Sequence, residues 1–157
     1  MDAMLGIGLP LFAVGNAAVS LGIAEAAVAS TAAHLTGHGF THLGSRLADL
    51  PNLRARLAEM RLETDRGRAH LAAVIDGLEQ PGPSTMLRVL EAKAAGNETA
   101  LRVTDLAMRA CGGAAFSRHL SVERNFRDAR AGSVMAPTTD VLYDFIGKAL
   151  CGMELFA

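Results

Sequence analysis

A chain of 157 residues has room for one hydrophobic core and is short for an enzyme of two domains. Half of it is apolar, aromatics make up only 4% and tryptophan is absent, so the core must be built from small aliphatic side chains, which suits packed helices better than a sheet. A net charge of -1 with both signs interleaved excludes the electrostatic footprint of a nucleic-acid or anionic-membrane binder.

The first element is uncharged from Met4 to Ala24, about the ~20 residues a bilayer needs. Pro10, Asn16 and Ser20 interrupt it, Glu25 follows at once, and no Lys or Arg flanks it before Arg46, so it reads as a buried bundle helix and no membrane span is expected. Asp2 stands where a signal peptide would carry basic residues. The helix is expected over Leu11 to about Leu35, closed by the turn formers of Thr36 to Ser45.

The second element has the clearest period. Leu53, Leu57, Met60, Thr64, Gly67, Leu71, Val74 and Leu78 advance by threes and fours while charge fills the other faces, the pattern of an amphipathic bundle helix. Pro51 sits near its first turn and the run Gln80 to Pro83 stops it. A third helix follows on Leu87, Leu90, Ala94, Asn97, Leu101, Thr104, Met108 and Cys111, and ends at Gly112 and Gly113. Glu123 to Ala131 reads as a short charged helix. Thr138 to Leu150 reads as the last one, with Pro137 at its first position and Val141, Leu142, Phe145, Ile146 and Leu150 on its apolar side. No strand candidate emerges. The fold class is all-α: an up-and-down bundle of three long helices with one or two shorter C-terminal helices, in a single domain over 1–157.

Motif chemistry is sparse. HExxH, Glu-x-x-His, P-loop and GxGxxG patterns do not occur. Cys111 and Cys151 lie far apart without a CxxC spacing, which argues against zinc or a disulfide framework and fits a reducing cytoplasm. His34, His38 and His42 recur every four residues, but Gly37 and Gly39 break the helix and no ligand completes a shell, so no metal is expected. Ser117, His119 and Glu123 have triad residue types without a nucleophile elbow. Glu123 and Arg127, four apart, read as a solvated helical pair.

The order of these features carries more than any one of them. A long helix, the pair Gly112–Gly113, an aromatic at Phe116, the charged run Glu123 to Arg130, and the turn into Thr138-Thr139-Asp140 together resemble the C-terminal helical domain of the acyl-CoA dehydrogenase superfamily. The match is gapless from Met108 to Thr138 and extends loosely to Ser20–Val28 and Arg56–Met60. The resemblance implies a flavoprotein in which this bundle packs beside an acyl-CoA substrate, lends contacts to FAD and meets other copies of itself or a related subunit. It places Arg109 where the family commonly has a glutamine, and it makes Arg109, Gly112, Gly113, Thr138, Thr139 and Asp140 the expected cofactor contacts. A glycine pair would let the backbone lie against a flat cofactor, and a helix start favours an anion.

The departures bear on chemistry. Ala136 occupies the position of the family's usual glutamate base and Pro137 that of the following glycine, so no catalytic residue is expected in this segment. The alternative base position on the first helix, around Phe12, has no carboxylate either. Phe40 replaces a common arginine and Pro51 a common glutamine. The family's N-terminal helical and central β domains do not appear in these residues. The parent is therefore expected to be a dehydrogenase-like oxidoreductase, with a flavin-dependent monooxygenase of the same superfamily or a non-catalytic assembly module as alternatives, and this segment alone to be inactive.

Overall fold

The computed structural model describes residues 4–40, 42 and 44–154. After a wide π-type turn at Met4–Gly8 come α1 (Leu9–Gly37), α2 (Pro51–Gly77), α3 (Thr85–Cys111), α4 (Val122–Val134) and α5 (Thr139–Leu150). The bundle reading holds. Helix α3 is its centre, packed against α1, α2, α4 and α5 in turn. The core is made of small residues, with Ala13, Ala17, Ala24 and Ala27 of α1 and Ala92, Ala100 and Ala107 of α3 all buried, so the two helices approach closely without bulky knobs.

Helix α2 behaves as its period predicts: Met60, Thr64, Gly67, Leu71 and Val74 are its buried residues. It starts on Pro51, whose missing N–H is among those a helix leaves unpaired. Helix α1 begins two residues earlier and ends two later than its composition suggests. Gly6–Gly37 is long and apolar enough, by length and composition alone, to cross a membrane. Its inner face is nevertheless covered by protein, and at mid-length Glu25 takes Arg61 at 2.7 Å and Arg68 at 3.1 Å from α2. The Arg61 hydrogen bonds, backed by Arg68, hold the Glu25 carboxyl below the usual carboxylate range against the opposing effect of burial.

Three expectations need correction. A two-residue antiparallel ladder, β1 (Gly39–Phe40) against β2 (Ser45–Arg46), lies within the α1–α2 connection. It is too short to leave an alternating pattern. Pro137 is not the first residue of α5. Thr138, extended at φ -65° and ψ 161°, is the N-cap and Thr139 the first helical residue, so the extended backbone at Thr138 delays the helix to two residues after the proline. On α5 only Thr139 and Leu142 are buried, while Val141 and Leu150 face outward.

The histidine series is split by the end of α1. His38 caps the helix with its ring 4.6 Å from that of buried His34, and His42 meets Phe40 edge-on. Among the described residues no group of three or more His, Cys, Asp or Glu side chains is gathered as a metal site. Burial, and secondarily the charge of His38, lowers the His34 pKa from its ordinary value of 6.5. Stability from this group is present above that value. As the pH falls below it, the unfolded chain takes up a proton that the folded chain resists, and stability falls. His34→Leu is expected to flatten this slope. The check is the urea midpoint at about pH 7.5 and about pH 5.5, which should differ in the native chain and much less in the variant. The Glu25 contribution is lost only below 4.5 and so lies in a separate window.

Candidate functional site

At the C-terminal end of α3 the two glycines have different reasons to be there. Gly112 caps the helix at φ 56° and ψ -137°, a backbone region that L side chains rarely adopt, so the turn itself requires glycine. Gly113 has no such constraint. A Cβ built on it would meet nothing within 4 Å, and the residue is exposed, so the fold leaves this stretch of backbone open to another molecule. Phe116 beside it is also exposed. Arg109, one turn back, forms an ion pair with Asp105 at 2.8 Å and keeps most of its side chain in solvent. Cys111 Sγ, 3.9 Å from Thr31 Oγ1, places the last turns of α1 at this same end. Phe40 is half-exposed in the hairpin that follows α1.

The other expected contacts stand at the start of α5. The Thr138 carbonyl accepts the Leu142 N–H at 2.9 Å, while its hydroxyl makes no capping bond. Thr139 is buried and its Oγ1 has no hydrogen-bond partner among the described residues. Asp140 is exposed in the first turn, where its carboxylate already complements the helix dipole and weakens the case for an anion there.

The six residues do not form one site within the chain. Lys93 binds the Pro137 carbonyl, and Cys111 is eighteen residues farther along the same helix, about 27 Å at 1.5 Å per residue. Arg109, Gly112 and Gly113 therefore sit near one end of the bundle and Thr138, Thr139 and Asp140 well down its length.

Between α1 and the turn before α5 lies an apolar cavity of about 520 Å³ lined by Met4, Gly8, Leu9, Phe12, Ala136 and Pro137. Ala136 and Phe12, at and near the two places where the resemblance leads one to expect a base, line the same space. Among the described residues none of the lining side chains is a carboxylate. A hollow of about 310 Å³ shares Phe12 and continues past Leu11, Val19 and Met135 along the exposed side of α1. A larger hollow, about 690 Å³, lies elsewhere, between α1 and α2. The one carboxylate lining it, Glu25, is already held by Arg61 and Arg68.

Behind the first cavity runs a buried polar chain that sequence reading missed. Ser20 Oγ donates to Asn97 Oδ1 at 2.8 Å and Asn97 Nδ2 donates to the Gly132 carbonyl at 3.0 Å. Lys93, fully buried, donates to the same carbonyl at 3.4 Å, to that of Met135 at 3.0 Å and to that of Pro137 at 2.7 Å. Its signal was present: a lysine between Ala92 and Ala94 at a step from Leu90 and Asn97 that belongs to the inner face.

The comparisons with known proteins agree with this architecture. The family model for the acyl-CoA dehydrogenase C-terminal domain matches residues 6–151. The 3-sulfinopropanoyl-CoA desulfinase of Advenella mimigardefordensis is 30% identical over 143 residues, which are 90% of this chain and 34% of that protein. The solved butyryl-CoA dehydrogenase of Megasphaera elsdenii superposes with a TM-score of 0.84 at 27% identity, covering 91% of this chain and 37% of its own. XiaF from a Streptomyces species, solved in complex with FADH2 and glycerol, shares the fold at a TM-score of 0.83 and 20% identity, over 99% of this chain and 44% of its own. The chain spans about a third of the length of the curated relatives it matches.

Proposed function

The chain belongs to the acyl-CoA dehydrogenase family as its C-terminal helical domain, and on that premise we propose that it is the helical wall of a flavin-dependent enzyme acting on an acyl-CoA thioester. The single observation that carries the reading is the apolar cavity in which Phe12 and Ala136 meet. It suits an acyl chain, and it offers no proton acceptor. FAD, when bound, supplies the electron acceptor. The chain's own residues exclude water around the acyl group and present open backbone at Gly113.

The lack of a carboxylate favours a reaction in which this segment removes no α-proton. Desulfination, the activity in the name of the Advenella relative, is one such reaction, and flavin-dependent oxygenation is another. That the two groups of expected contacts lie far apart along α3, one at its C-terminal end and the other at the level of Lys93, supports an assembly of copies, in which the Gly113 end serves a different cofactor from the one beside the cavity. The exposed apolar side of α1 then packs against protein. Two free cysteines, Cys111 buried and Cys151 exposed, fit a cytoplasmic location.

A pair of variants in the flavin-loaded whole protein tests the cofactor contact. Gly113→Val is expected to raise the FAD dissociation constant by about tenfold, the effect of ~1.4 kcal/mol, without moving the thermal midpoint of the apoprotein. Gly112→Ala is expected to lower that midpoint through about 1–3 kcal/mol of backbone strain. Unchanged FAD affinity in Gly113→Val would remove the cofactor role from this end of the bundle.

A further inference from the structure

We infer that Lys93 is the positioning residue of the cavity: a buried ammonium on α3 that holds the Met135–Pro137 turn, and with it one cavity wall and the start of α5, in register with Phe12 on the opposite wall. The inference rests on the geometry and stands whatever reaction the cavity serves.

An ammonium has three hydrogens to donate, and the three carbonyls of Gly132, Met135 and Pro137 take them. The two shortest bonds go to the turn and the longest to the last turn of α4, whose carbonyls have no partner within their own helix and welcome a cation. On the other side the ammonium lies 5.8 Å from the centroid of the Phe12 ring, within cation–π range. One charge thus touches both walls of the same space. Among the described residues no carboxylate pairs with it, and burial pushes its pKa below the ordinary 10.5.

A purely structural role explains this arrangement poorly. Burying an ammonium is costly, and an apolar side chain of similar length commonly serves a core equally well or better. What methionine could not do is tie the two carbonyls of the irregular Met135–Pro137 turn to that of Gly132 at the end of α4. Lys93 is not the missing base either, because its donors are already committed to main-chain oxygens.

The test is amide hydrogen exchange on the full chain, which needs no flavin and so can fail independently of the proposed function. In K93M, amides 142–145, the first of α5 with acceptors inside the helix, are expected to exchange about tenfold or more faster, while protected amides of α1 and α2 stay within about twofold of the native chain. K93R, which keeps the cation, is expected to recover most of that protection. If K93M fails to fold, K93Q carries the same reading, since its amide is too short to reach the Pro137 carbonyl. Unchanged protection at 142–145, or a rise spread evenly over the helices, would overturn the inference. Unfolding of both variants would do so too, because a global role leaves none specific to the turn.

Discussion

Gly132→Ala is expected to lower the thermal midpoint by roughly 4–8 °C, from a net loss of about 2 kcal/mol at some 2–4 °C per kcal/mol for a chain of this size. A Cβ on Gly132 would stand 2.5 Å from Asn97 Oδ1 and 2.8 Å from Ser20 Oγ, and both side chains are buried. Neither can retreat freely, because Ser20 donates to Asn97 and Asn97 donates back to the Gly132 carbonyl. Relieving the clash means breaking a buried hydrogen bond, at about 1–3 kcal/mol, or moving α4 away from α3. The gain of about 1 kcal/mol from alanine's helix propensity opposes this and is smaller. Adding Ser20→Ala removes one of the two clashing atoms and is expected to recover part of the loss. A midpoint within about 2 °C of the native value in Gly132→Ala would show that the network yields without cost.

The second large effect is a gain. Ala136→Glu in the flavin-loaded whole protein is expected to speed flavin reduction by a saturated acyl-CoA by about 10²–10⁴-fold, the usual worth of a placed general base. Ala136 is exposed on the cavity wall, so a longer side chain has room to enter the space that Phe12 and Pro137 bound. An apolar lining raises the pKa of a carboxylate and brings it closer to the range where a base works best at neutral pH. Ala136→Gln has the same size and no proton affinity, so it should show no gain. Stopped-flow absorbance of the flavin separates the two variants.

The parts of the fold legible in the sequence are those where charge and apolar side chains segregate. Helix α2 is the clear instance, because up to Arg68 its Arg and Glu residues stay off the face that carries Met60, Thr64 and Leu71. Helix α1 is apolar nearly all round, so its composition names no inner face and its ends were misplaced by two residues each. On α3 the stripe from Leu90 to Cys111 marked one face, but Val89, Ala92, Gly96, Val103 and Ala110 are buried as well. Alanine and glycine give little periodic contrast, which hid the fact that this helix is surrounded.

The site was legible as residue types and not as geometry. Gly112–Gly113 stood out as a pair, yet only a backbone angle shows that the first serves the turn and that the second is left open. Ala136 and Phe12 were each seen to lack a carboxylate. That they face one cavity depends on how α1 crosses the turn before α5, which no local pattern encodes. Lys93 was overlooked because lysine is seldom fully buried, and the three carbonyls that make its burial tolerable come from residues some forty positions away.

The claim that matters most is that this domain walls an acyl-CoA site without furnishing its base. Anaerobic mixing of the native, flavin-loaded whole protein with butyryl-CoA, followed by the visible flavin band, tests it directly. The account predicts that the flavin stays oxidised over many minutes. Bleaching within seconds, at a rate that Ala136→Glu does not improve, would contradict it.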